Sequence, residues 1–228
     1  MWKKDFFLDI IFPKFCLNCG REGDYLCEDC QGLLDISGFH QTFSTKNLKD
    51  LYFPLSYQNF LVKKIIHQFK YQPFIKELSK TLASLIIEHF QLLDNKPDFF
   101  PPSGNRSYSN GTNFILIPIP STKKRLKWRG FNQTEEIGKE LALFLKIPLI
   151  SDCLMKIKEI SPQVELSDEE RKENIKNAFS CRDSGKIKGK RIVLVDDVFT
   201  TGSTMEECAR ILKGAGAKEI IGVILARG

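Results

Sequence analysis

The chain has 228 residues, with 34 Lys+Arg against 28 Asp+Glu and a formal net charge of +6. That length buries one sizeable core plus a small appendage, and the mild basicity permits an anionic partner without demanding one. No apolar stretch reaches the ~18 residues of a transmembrane helix, and the seven cysteines, four of them between positions 16 and 30, are too crowded for a secreted disulfide scaffold and point to a metal in a reducing compartment.

Met1 to Phe12 carries two lysines among apolar residues, but Asp5 and Asp9 interrupt it and no small-residue cleavage site follows. It reads as a short helix packed on the body rather than a targeting segment. Cys16-Leu17-Asn18-Cys19 and Cys27-Glu28-Asp29-Cys30 are two C-x-x-C knuckles with seven residues between them. Thiolates at this spacing close a tetrahedral zinc site, and Gly20 and Gly23 let the chain turn around it. A redox-active C-x-x-C is the alternative. Cys153, Cys181 and Cys208 show no mutual spacing logic, and Cys208 falls on the apolar face of its helix.

Gln31 to Asn47 reads as a linker or extended meander and Tyr52 to Tyr57 as a strand. From Asn59 the period becomes helical, with Leu61, Ile65 and Phe69 four apart. Pro73 ends that helix, and Ile75 to His89 stripes a longer one. His67 and His89 have no second ligand in register and read as structural. Asp94 to Asn113, rich in Pro, Asn and Ser, reads as a surface insertion. Phe114 to Ile119 is the first buried strand. After it Lys123, Lys124, Arg125, Lys127 and Arg129 surround Trp128. At the carboxyl end of a parallel strand such charge suits a pyrophosphate. It also suits single-stranded nucleic acid stacking on Trp128, or a merely solvated loop.

Asn132, with Glu135 three residues on, predicts a capped helix buried through Ile137, Leu141, Phe144 and Leu145. Leu149 to Leu154 reads as a second strand, and 156–177 as a mobile charged loop with a short helix from Ser167. Ile192 to Val195 is a strand buried on both faces. Asp196 and Asp197 stop it, and burying two like charges side by side is costly, so they belong at the strand's carboxyl end facing a cleft. Thr200-Thr201-Gly202-Ser203-Thr204 follows, then a helix from Met205 to Lys213 with Ser203 and Glu206 spaced as a capping box. Free N–H groups at the helix start, with these hydroxyls, can hold a phosphate, while the acids accept hydrogen bonds from sugar hydroxyls. A ribose 5-phosphate is the group implied; a capped βα junction with an exposed acidic pair is the plainer alternative. Glu219 to Leu225 is the last strand, and strands alternating with helices predict a parallel α/β sheet.

Val193 to Thr204 resembles the phosphoribosyl pyrophosphate motif of type I phosphoribosyltransferases. Together with the knuckles, His67-Gln68-Phe69-Lys70-Tyr71, Pro118-Ile119-Pro120, Arg129-Gly130-Phe131-Asn132-Gln133, Gln163, Leu166-Ser167, Arg171 and Asn174, the chain resembles the ComF family over nearly its whole length. The resemblance implies a type I phosphoribosyltransferase-like parallel sheet flanked by helices over 51–228, interrupted by a flexible insertion at 94–113. A zinc-binding module and linker would occupy 1–50. It implies phosphoribosyl pyrophosphate bound with Mg²⁺ by Asp196, Asp197, Thr200, Thr201, Gly202, Ser203 and Thr204, with Lys123, Arg125 and Arg129 toward the pyrophosphate and Gln163 to Arg171 as a closing hood. Asp196 and Asp197 would be the catalytic pair, with Cys16, Cys19, Cys27 and Cys30 on structural zinc. Transfer of the phosphoribosyl group to a nitrogenous base is one implied function. The other is a non-catalytic role in natural competence, binding single-stranded DNA or DNA-uptake proteins through the basic edge. Either places the protein in the cytoplasm, at the inner face of the membrane through an uptake complex.

Overall fold

In a computed structural model of the chain the residues described are 13–101, 113–158 and 174–228. The helix expected over 1–12, the hood at 163–171 and most of the 94–113 insertion lie outside them. Elements are numbered among the described residues.

The apolar run of the signature becomes β6 (Arg191–Phe199), which pairs in parallel with β3 (Phe114–Pro118) on one side and β7 (Glu219–Arg227) on the other. β1 (Asp50–Tyr52) and β2 (Leu55–Ser56) both add in parallel to the far edge of β7. Side chains of β6 alternate between two layers, as a pleated strand buried on both faces requires. Val193 and Val195 face one core with α2 (Phe60–Lys70), α3 (Leu78–Leu92) and α5 (Gln133–Leu145); Ile192 and Leu194 face a second core with α6 (Ser203–Gly214). Gly222 lets the sheet and α6 meet closely: a Cβ there would press on Leu51 Cδ1 and Met205 Sδ, both at 2.6 Å.

Local signals explain most element ends. Asn59 Oδ1 accepts from the backbone N–H of Leu61 and Val62 and caps α2. The basic run is a helix, α4 (Lys123–Arg129), rather than a loop. Thr122 caps its start by accepting from Arg125 N, and Gly130 ends it in the left-handed conformation. Asn132 precedes α5 as expected but makes no capping bond there. Its amide instead joins the hydroxyls of Ser121 and Thr134 to the Ile119 carbonyl.

The strand expected over Leu149 to Leu154 does not form as such. Leu149 makes a single parallel bridge to Leu116. Leu154–Lys156 (β4) instead pairs antiparallel with Phe179–Cys181 (β5) in a separate ribbon. Ahead of residue 102 the proline-rich segment is anchored: Phe99 is fully buried and Asp98 pairs with Arg191 at 2.6 Å.

Register fixes where the loops emerge. Pro118 lies opposite Val195, and Val195 opposite Val223. The chain after β3 and the chain after β6 therefore leave the sheet at one edge.

Candidate functional site

At that edge Asp196 and Asp197 line a cleft of about 230 Å³ together with Lys70, Arg125, Arg129, Lys156 and Thr204. Asp197 Oδ1 lies 2.8 Å from Lys70 Nζ. Burial opposes the charge on Lys70, but Asp197, and more weakly Asp196, outweigh it and hold the lysine above its ordinary pKa. Asp196 accepts from the Asp197 backbone N–H at 2.9 Å. Burial, then the neighbouring Asp197 carboxylate, push its pKa up to about 7. Two carboxylates this close resist ionising together.

Cations outnumber these acids. Arg129 donates from Nη1 to Gln133 Oε1 at 2.9 Å and lies over the Tyr71 ring, while its buried Nε has no partner. Burial, with Arg125 nearby, lowers the pKa of Arg129 and of Lys156. Among the described residues neither Arg125, Arg129 nor Lys156 has a carboxylate partner. Lys123 is exposed and does not line the cleft.

The threonine turn sits beside the acids. Gly202 takes φ +75°, and a Cβ there would collide with the Phe199 ring, so the turn demands glycine on two grounds. Gly202 occupies the cap position of α6; Ser203 is the first helical residue and forms no capping box. Glu206 reaches instead to Thr45 and, at 2.6 Å, to Asn47. The Thr201 and Ser203 hydroxyls lie 2.9 Å apart. Among the described residues the backbone N–H groups of Thr201, Gly202, Thr204 and Met205 meet no acceptor, as expected of a helix's first turn. Thr204 opens onto the acid cleft and Thr200 is exposed. Thr201, Gly202 and Ser203 border an adjoining cavity of about 350 Å³ walled by Phe43, Leu48, Ile175 and Phe199.

Lys70 and Lys156 were not singled out from the sequence. Lys70 lies within the His67–Tyr71 stretch quoted above, a legible hint. Lys156 sits in a charged segment with no motif, and only the β4–β5 ribbon carries it to the cleft.

The four knuckle cysteines form a second centre. Their sulfurs all lie within 4.8 Å of one another, with Cys19 and Cys27 3.6 Å apart. A tetrahedron of thiolates about 2.3 Å from zinc has edges of roughly 3.8 Å, so the donor set fits zinc. Asn18 Nδ2 donates to Cys30 Sγ at 3.3 Å. The module packs on α3: Gln31 Nε2 donates to Glu88 at 2.9 Å, and Cys16, Leu26 and Leu34 join the core of α2 and α3.

Comparison with known proteins gives the same picture. A model of the phosphoribosyl transferase domain matches residues 137–228, and the parallel sheet flanked by helices is that fold. Competence protein F of Haemophilus influenzae is 30% identical over 211 residues, spanning 92% of this chain and 82% of that protein. The DNA utilization protein YhgH of Escherichia coli is 35% identical over 105 residues, 46% of this chain and 45% of its own. Competence protein ComFC of Bacillus subtilis is 30% identical over 110 residues, 45% of this chain and 40% of its own. No helix among the described residues is long and apolar enough to cross a membrane. With the N-terminal cysteine cluster, the phosphoribosyl transferase domain and a match along most of a curated relative, the chain belongs to the ComF family of competence proteins.

Proposed function

We propose that this chain binds phosphoribosyl pyrophosphate with Mg²⁺ at the edge where β3 and β6 end. The observation that carries the reading is the surplus of cations around the aspartate pair, beside a turn whose backbone N–H groups are free to donate to a phosphate. Asp196 and Asp197, as ionised carboxylates, accept hydrogen bonds from the ribose hydroxyls. The amides and hydroxyls of Thr200, Thr201, Gly202, Ser203 and Thr204 take the 5-phosphate. Arg125 and Arg129, joined by Lys156 and with Lys123 at the rim, neutralise the pyrophosphate. Mg²⁺ would add Lewis-acid stabilisation of the departing pyrophosphate. Such a site serves transfer of the phosphoribosyl group to a nitrogenous base. The four-cysteine module, over 1–50, holds structural zinc and braces the domain over 51–228.

Calorimetry with phosphoribosyl pyrophosphate and Mg²⁺ tests the binding; absence of heat ends the reading. Pyrophosphate release in the presence of nucleobases tests transfer. The affinity depends on pH with a definite sign. Asp196 holds its proton up to about pH 7, and the sugar needs the carboxylate. Affinity therefore rises by about tenfold per unit as pH climbs toward 7 and levels off above it. Asp196→Asn flattens that slope.

A second reading is favoured by α4. Lys123, Lys124, Arg125 and Lys127 are exposed, and Trp128 is 55% exposed beside Phe74. Cations interleaved with an open aromatic ring suit single-stranded DNA, and relatives carry competence and DNA-utilization names. In this reading the protein works in the cytoplasm beside a DNA-uptake machine. Binding would weaken steeply with salt, and replacing Lys124, Lys127 and Trp128, which do not line the cleft, would abolish it without changing sugar-phosphate affinity. Retention of DNA binding by that variant would exclude the surface.

A further inference from the structure

The β4–β5 ribbon brings together two cysteines that sequence spacing leaves unrelated. Leu154 lies opposite Cys181, and Arg182 N donates to the Cys153 carbonyl at 2.8 Å. Cys153 and Cys181 are therefore diagonal neighbours at the ribbon's open end, with sulfurs 3.4 Å apart. We propose that Cys153 and Cys181 are a redox-modification site, joined by a small disulfide oxidant into an intramolecular bond across this ribbon.

Geometry, access and chemistry agree. A disulfide has sulfurs about 2.05 Å apart, so closure moves them by roughly 1.4 Å, within reach of side-chain rotation. The two differ in exposure: Cys153 is fully buried, whereas Cys181 is partly exposed. The Cys181 thiolate therefore attacks one sulfur of a low-molecular-weight disulfide first, forming a mixed disulfide and releasing one thiolate. Cys153 then loses its proton and attacks the Cys181 sulfur, expelling the second thiolate. Two protein thiols are oxidised and the reagent disulfide is reduced to two thiols, the protons lost by Cys181 and Cys153 being taken up by the two departing thiolates.

Burial, and then Cys181 beside it, push the Cys153 pKa up to about 12. That makes Cys153 a slow attacker but also a poor leaving group, so the bond resists reduction once formed. Cys208, the third cysteine outside the zinc module, is on the buried face of α6 and serves as an internal control. The bond has a functional address. β4 ends at Lys156, which lines the acid cleft, so a staple at the residue just before that strand's start ties the cleft wall to β5.

The test uses the full chain in its zinc-loaded form, incubated with oxidised glutathione, alkylated and mapped by mass after digestion. The expected product is one peptide pair linked through Cys153 and Cys181, two hydrogen masses lighter than the separate peptides, with Cys208 alkylated. Cys153→Ser should accumulate the glutathione adduct on Cys181, because no second thiol resolves it. Two results in the wild-type chain overturn the proposal: a stable adduct on Cys181 with Cys153 unlinked, or both thiols unmodified while the zinc cysteines react.

Discussion

Asp196→Asn and Asp197→Asn are each expected to lower affinity for Mg²⁺-phosphoribosyl pyrophosphate by about ten- to a hundredfold, and the double variant to bind none measurably. Hydrogen bonds to charged groups contribute about 1.5–3 kcal/mol each, and an amide substitution keeps the shape while removing the charge. The two variants separate on stability. Asp197 is paired with Lys70 at 2.8 Å, so Asp197→Asn leaves a partly buried ammonium without its counter-charge and destabilises the fold. Asp196 is different, because burial and its neighbour push its pKa up to about 7. A group whose folded pKa lies above its unfolded value keeps its proton in the folded state while the unfolded chain loses it. Stability therefore falls as pH rises from about 4 to 7. Asp196→Asn removes that penalty, so its melting temperature exceeds wild type above pH 7 and the gain vanishes near pH 4. Thermal melts at pH 4, 6 and 8, run beside calorimetry, check both halves. A variant that binds normally, or one that loses affinity only by unfolding, refutes the assignment of the acids.

Metal analysis is expected to find about one zinc per chain, and Cys16→Ser to remove it with a large loss of stability. Four thiolates within 4.8 Å of one another fit one tetrahedral ion. Around them the 13–34 stretch has a one-turn helix, α1 (Glu28–Gln31), and a single antiparallel bridge between Phe15 and Glu22, too little regular structure for a core of its own. Its buried Cys16, Leu26, Cys30 and Leu34 pack into the core of α2 and α3. Losing the ion therefore exposes the outer face of those helices as well. Structural zinc contributes of order 10 kcal/mol in small modules. Even about 3 kcal/mol of that lost lowers the melting temperature of a domain this size by roughly 6–12 °C. Cys208→Ser, in the opposite layer, keeps full zinc content. Zinc retained by Cys16→Ser would sink the assignment.

Local chemistry made much of this legible from the chain alone. The knuckle spacing announced the cysteine cluster, and four β-branched or leucine residues followed by two aspartates announced a buried strand ending at a cleft. Asn59 and the four-residue apolar period announced α2. These are short-range features, set by backbone geometry and by the cost of burying charge. The misreadings share a cause. Five like charges in seven residues suggested a loop, yet Thr122 and Gly130 terminate a helix whose cations point to solvent and cleft. Leu149 to Leu154 looked like a sheet strand, but the backbone it pairs with lies beyond a long excursion and could not be named in advance. The same holds for the cleft itself. Lys70, Lys156 and Asp197 are far apart in sequence and meet only because the end of α2, the β4–β5 ribbon and the carboxyl end of β6 converge on one cleft. Which residues are strand, cap or metal ligand was written along the chain; which cations face the acids, and that Cys153 meets Cys181, required the packed sheet, since long-range partners are selected by burial and pairing rather than by neighbours.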